Sequence, residues 1–416
     1  MSRRAFIGAA GVAGLTDCSS SLKSSGPAAS SSGSGVIKIG FVSPQTGADS
    51  VFGQPNTYVL GKVRSALAKG LTIGGKKYSV EIITKDSQSS ASGAATAASQ
   101  LIQQDSVNFL IATSTPDTTN PVSDQAEASG VPCLNTICPW EEWYYSSSGS
   151  PNTRKYSFMY FLGNREEIDL FGTIWKSADT DKVLGGLWPN DVDGASFQKY
   201  AEAAAPGLGL KVVPSGAYAD GTQDFASIIS KFKSANVQIL HAAPIPPDMI
   251  TFWKQAHQNG FKPKIASISK ALLFPSTAQA LGSLVDNVMS PVWWTPSFPY
   301  HSSLDGMTAS AFGSGYGTQW TQPMGFNYAI FEIAVAALKA SGDPTDPSAV
   351  VSALSKLKGT AITGPYDFAT GPVPNVSQVP ELLGQWRPSS SGSYELVVFN
   401  DSLLPIVPVQ GSFELL

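Results

Sequence analysis

The chain has 416 residues, of which 14% are charged and 42% hydrophobic, against about 25% charged in an average soluble domain. That composition excludes disorder for the bulk of the chain, since disorder needs low hydrophobicity and high net charge, and the length predicts two domains. The net charge of −4, from 27 basic and 31 acidic residues, offers no basic field to a phosphate backbone, so no nucleic-acid partner is expected.

Residues 1–18 read as an export signal. Arg3 and Arg4 precede an apolar run, Ala5–Leu15, that suits a signal core and is too short to span a membrane. Ser2–Ile7 resembles a twin-arginine export motif, and Leu15-Thr16-Asp17-Cys18 resembles a bacterial lipobox, with Asp17 where a small residue is usual. Residues 19–35 are almost all Ser, Gly, Ala or Pro, the composition of a flexible tether. The order predicts an exported body at the periplasm or cell surface, touching the membrane only through a lipid on Cys18. Cys133 and Cys138 are either a disulfide closing a small loop or two buried thiols. No metal site is expected, because His241, His257 and His301 are not spaced near the cysteines.

From Val36 onward, strand and helix patterns alternate. Val36–Val42 is a β-branched apolar run, followed by a helical stretch over Asn56–Lys69, a turn at Ile73–Lys76 and an alternating strand over Tyr78–Thr84. Ala91–Asp105 reads as helix, Asn108–Ala112 as strand, Pro121–Ser129 as helix, and Val131–Leu134 and Tyr156–Phe161 as strands. The series then repeats: helices over Glu166–Ser177, Ala195–Ala205, Phe225–Ser234 and Asp248–Asn259 separate strands over Lys182–Trp188, Lys211–Val213, Val237–Ala242 and Lys264–Ile268. Val285–Val292 reads as a strand returning to the first domain, and helices follow at Phe326–Lys339 and Pro347–Leu357. The fold class is α/β, two doubly wound parallel-sheet domains. In open parallel sheets ligands sit off the carboxyl ends of the strands, so two facing sheets make a cleft.

No phosphate-cradling loop, nucleophile elbow or dinucleotide fingerprint is present, and no cofactor is expected. His241 reads as a packed strand-end residue. Asp191 and Asp193 are either an acid/base pair or a turn with a helix cap. The strand-end loops carry hydroxyls and aromatics instead. Thr113, Ser114 and Thr115 either hold a ligand carboxylate or make a Ser/Thr turn, and Thr136 follows the next strand. Trp140, Trp143, Tyr144, Tyr145, Trp293 and Trp294 either stack on a ligand or pack between domains.

The body resembles the type I periplasmic binding proteins that serve branched-chain amino-acid-type ABC transporters. The likeness is carried by Ile37–Gly47, Phe52-Gly53, Gly130-Val131-Pro132, Asp193–Phe197, Asp224-Phe225 through Asn236-Val237, and Phe252–Pro263. The resemblance implies a monomer of two domains, 36–161 with 291–362 and 162–290 with 363–416. Three hinge crossings near Phe161–Gly163, Ser290–Trp293 and Thr360–Tyr366 would let them close over a ligand without chemistry for delivery to a membrane permease. It assigns the ligand site to Phe52, Thr113, Ser114, Thr115 and Thr136–Trp140; Asp193, Trp293 and Trp294 are further candidates read from this chain's own loops. Two departures stand out: Ala242–Ile245 occupies the place of the family's tyrosine, and Lys270 replaces the acid that pairs with an amino-acid ammonium. A lysine there attracts an anion, so the expected ligand is an organic acid, its ring stacked on Trp140, Trp293 or Trp294. A neutral ring compound, a hydrolase using Asp191 or Asp193, and a sensing module without a transporter are the alternatives.

Overall fold

The computed structural model describes residues 35–416 apart from 147, 318, 319 and 391. The export signal, Cys18 and nearly all of the tether lie outside the described residues; Gly35, counted with the tether, already opens the first strand. In chain order the first lobe contains β1 (Gly35–Ser43), α1 (Asn56–Ala66), β2 (Leu71–Ile73), β3 (Lys76–Asp86), α2 (Ala91–Gln103), β4 (Phe109–Thr113), α3 (Pro116–Ser129), β5 (Cys133–Thr136), α4 (Trp140–Tyr144) and β6 (Ser157–Phe161). The second lobe follows with α5 (Asn164–Ser177), β7 (Val183–Leu187), α6 (Val192–Leu208), β8 (Lys211–Pro214), α7 (Ala226–Ser234), β9 (Ile239–Ala242), α8 (Pro246–Gln258), β10 (Ile265–Ile268), α9 (Pro275–Leu281) and β11 (Met289–Val292). The chain returns through α10 (Ala309–Tyr316), α11 (Gln322–Ser341), α12 (Pro347–Leu354), β12 (Lys358–Ala361), β13 (Gly364–Asp367) and β14 (Val376–Gln378). It ends in β15 (Leu382–Pro388) and β16 (Tyr394–Asn400).

One sheet runs β14-β6-β5-β4-β1-β3-β2 and the other β16-β15-β11-β10-β9-β7-β8. Their central pairings are parallel, and margins such as β2–β3 and β15–β16 are antiparallel. Central strands covered on both faces must be apolar almost throughout. Ile37, Ile39, Phe41 and Val42 in β1 and Ile239, Leu240 and Ala242 in β9 meet that demand, none more than 1% exposed. Helix α11 is buried around nearly its whole circumference from Gln322 to Leu338, as a helix apolar on every side must be. Its Phe331 meets Phe41 of β1 edge to face, and Thr113 donates to its Asn327 at 2.7 Å.

The chain passes between sheets three times: after Phe161, after Val292, and at Val379–Glu381. The third passage corrects the expected crossing at Thr360–Tyr366 and the assignment of 363–378 to the second domain. Tyr366 and Phe368 pack on Tyr160 and Phe158 of the first lobe, and β14 adds a parallel strand to β6. A three-residue strand between Pro and Gly breaks has no period to read. The strand expected over Val285–Val292 is confined to β11 and stays in the second sheet, paired with β10 and β15. Cys133 and Cys138 form no disulfide; both thiols are free and buried. Cys133 opens β5 and Cys138 lies beyond its end, after a turn at Ile137.

Candidate ligand-binding cleft

In the first sheet β1 lies between β3 and β4, and in the second β7 lies between β8 and β9. Strand order reverses at these points, and there the loops diverge to leave a crevice. Phe52 follows β1, Thr115 follows β4, and Ile137 and Pro139 follow β5. From the facing lobe come Asp193 and Phe197 on α6 and Ser269 and Lys270 after β10, while Phe161, Leu162, Asn164, Glu167 and Trp293 close the hinge side. Together they line a cavity of about 30 Å³, roughly the share of one liquid water. The lobes also touch across the cleft. The Ser196 hydroxyl donates to Glu142, the Asp117 carboxylate accepts from the Val192 amide, and Phe52 meets Phe274 edge to face at 5.2 Å.

Lys270 is the cation of the cleft. Its Nζ lies 2.7 Å from Asp191 Oδ2 and 3.3 Å from Asp193 Oδ2. Burial opposes its charge, but the two carboxylates outweigh burial and keep the ammonium protonated well above the usual lysine range. Asp191 also caps α6, accepting from the Gly194 amide at 2.6 Å. Burial raises the Asp193 carboxyl although Lys270 pulls it down. Asp49, Asp117 and Asp220 lie near enough to feel the same ammonium, and burial is the largest influence on each, raising it.

Behind the cavity runs a buried hydrogen-bond chain. Trp188 Nε1 donates to His241 Nδ1 at 2.9 Å, which leaves the proton on Nε2, 3.2 Å from Ser269 Oγ. Burial lowers the His241 imidazole to about 3, so the ring is neutral. Ser269 donates to Glu167, whose side chain shares a hydrogen bond with Glu381. Trp293 Nε1 donates to Glu381 Oε1 at 2.9 Å. Burial, and then the facing Glu167, drive the Glu381 carboxyl well above the usual range, so it is the protonated partner. Trp293 and Glu381 sit on the second and third passages and Glu167 on the helix that follows the first, so this acid pair ties all three together.

The cavity gathers Phe52, Thr115, Asp193, Lys270 and Trp293 from the expected ligand residues. The others turn elsewhere. Thr113 is bonded to α11, Ser114 lies at φ 77° with its carbonyl accepting from Thr118, and Thr136 donates to the Tyr160 carbonyl at 2.8 Å. Trp140 packs on Tyr145, and Trp294 is fully buried between Phe312 and Trp320 in the first lobe. Asn164, Glu167, Phe197 and Ser269 were not anticipated. Asn164 and Glu167 follow a predicted crossing within a few residues, which was the available signal.

Three kinds of likeness to known proteins bear on this arrangement. Leu/Ile/Val-binding protein homolog 7 of Brucella abortus (strain 2308) is 27% identical over 184 residues, 42% of this chain and 45% of the relative, so the match spans less than half of that protein. Among solved structures, a leucine-binding protein of Thermotoga maritima MSB8 superposes with TM-score 0.73 at 17% identity, covering 88% of this chain and 99% of that one. A solute-binding protein of an ABC transporter from Rhodopseudomonas palustris BisB5, in complex with 3,4-dihydroxybenzoic acid, gives 0.72 at 16% identity (88% and 96% covered). An R. palustris solute-binding protein in complex with benzoate gives 0.71 at 16% (89% and 99%). At such identities the likeness is one of fold. The sequence profile of a family described as periplasmic binding protein matches residues 36–374, which hold the first sheet apart from β14, most strands of the second and every residue lining the cavity; the chain belongs to the periplasmic binding protein family.

Proposed function

We propose that this chain is the extracytoplasmic binding component of an ABC importer, closing over a small organic or aromatic acid and handing it unchanged to a membrane permease. The observation that carries this reading is the interlobe cavity itself. Side chains from both lobes and from the passages between them line a shared cavity, with several apolar walls and a single buried ammonium. Lys270 has three N–H donors and directs two at Asp191 and Asp193, which leaves one for a ligand acceptor. The benzoate and dihydroxybenzoate complexes of two fold neighbours support the acid class. A ring does not fit in about 30 Å³, so the lobes part to admit it, and contacts from both lobes then favour closure. Export by a twin-arginine signal and anchoring through Cys18 belong to the same reading.

The carboxylates of Asp49, Asp117 and Asp220 around the cleft favour a second ligand class, amino acids whose ammonium they would attract. Calorimetric titration of the exported body with benzoates, aliphatic dicarboxylates, branched-chain amino acids and sugars separates the two. Binding by acids alone is the expected result, with the ligand recovered unchanged. Binding by branched-chain amino acids alone would overturn the acid class, and product formation would point to the hydrolase alternative.

A further inference from the structure

Two residues that line the cavity each carry a buried polar atom with no partner among the described residues. Asn164 is 1% exposed and its Nδ2 donates to nothing; Asp193 is 7% exposed and its Oδ1 accepts nothing. The neighbouring polar groups are engaged. Ser269 and Glu167 bond each other, Glu167 faces Glu381, and Thr115 faces Thr118. A buried donor or acceptor without a partner costs free energy that a native protein recovers elsewhere. Here both residues line the interlobe cavity.

We propose that Asn164 and Asp193 set the ligand specificity of this cavity, and that the ligand they fit is a small ring acid bearing a hydroxyl. This rests on the acid reading above and goes further by assigning each end. The Asn164 amide and the remaining Lys270 proton hold the carboxylate. The opposite demand, at Asp193 Oδ1, is for a hydrogen-bond donor. An ammonium is disfavoured there because Lys270 Nζ already lies 3.3 Å from the other oxygen of the same carboxylate, and like charges so close repel. A hydroxyl donates without adding charge. Between the two ends, Phe52, Ile137, Phe161, Phe197 and Trp293 give a ring its apolar walls.

The test is isothermal titration of the exported body with benzoate, 3-hydroxybenzoate and 4-hydroxybenzoate. One hydroxylated isomer is expected to bind at least about tenfold tighter than benzoate, the scale of one hydrogen bond to a charged group. In Asp193→Ala the acceptor is lost, so the affinity ratio of the preferred hydroxybenzoate to benzoate is expected to fall toward one. Asn164→Leu is expected to weaken all three acids alike. Equal affinity of wild-type protein for benzoate and both hydroxybenzoates would overturn this pairing and leave the acid reading intact. Binding of none of the three would overturn the ring acid and the pairing with it, while the acid class stands or falls with the wider titration above. The wild-type comparison decides even if a variant fails to fold.

Discussion

At Lys270 an ammonium stands against two carboxylates of its own lobe, 7% exposed at the side chain. Removing it leaves Asp191 and Asp193 buried without a counter-charge. Breaking a buried pair in this way costs about 3–5 kcal/mol, far more than the pair's net worth. Lys270→Ala is therefore expected to lower unfolding free energy by about that amount in a denaturant titration; a loss below about 1 kcal/mol would show that water already reaches the site. Which residues reach the cleft was partly legible. The loops after β1, β4, β5, β7 and β10 were identified from strand ends, and Phe52, Thr115, Asp193, Lys270 and Trp293 arrive as expected. The direction of each hydroxyl was not legible, because Ser114 and Thr115 take positive φ values of 77° and 58° that swing the loop. Sequence spacing says nothing about such a turn. Lys270 was read as a free cation because the fold that brings Asp191 and Asp193 to it lies nearly 80 residues away in the chain.

At the scale of elements, the passages between lobes are joined by the pair Glu167 and Glu381, with Trp293 on the second carboxyl. Burial raises both acids in the folded state. For such a group the native form holds a proton that the unfolded chain gives up near the ordinary glutamate pKa of about 4.5. Stability is then full below that pH and is lost as pH rises toward the folded values. Glu381→Gln keeps the neutral hydrogen bond and removes the titration. Its melting temperature is expected to fall less than that of wild-type protein between pH 5 and pH 8 in scanning calorimetry; identical slopes would mean that the pair is already ionised. Helices α5 and α8 were legible because period and length agree, and α11 by the length of its largely apolar run. Helix α10 and strand β14 were not. The first is short and glycine-rich, and the second has three residues, so neither carries a period that survives its neighbours.

Across the whole molecule, the two lobes touch over the cleft through Ser196 with Glu142, Asp117 with the Val192 amide, and Phe52 with Phe274, and on the hinge side through Glu141 with the Asn164 and Arg165 amides and Gln322 with Leu273 and Pro291. A ligand that bonds both lobes shifts the balance between open and closed forms by its differential affinity for the two states. The radius of gyration from small-angle scattering is expected to be larger without ligand and to contract on saturation with the tightest acid. An unchanged radius would mean that the ligand enters by side-chain motion alone. The doubly wound order and the two-lobe division were legible from alternating elements, because βαβ handedness and burial leave few other arrangements. The third passage was misplaced because the chain runs along the first lobe for one more short strand before leaving it.

That late passage has a consequence for synthesis. The first sheet is completed by β14 and the second by β15 and β16, all after residue 375, and the first lobe's central helix, α11, appears only from Gln322. Neither half can close its core as the chain emerges from the ribosome, so folding waits for nearly the whole polypeptide. Strand pairings between residues 35–161 and 376–378 also raise the contact order, which slows folding. A nascent chain of this protein therefore stays open, with its apolar strands exposed, until its last elements are made.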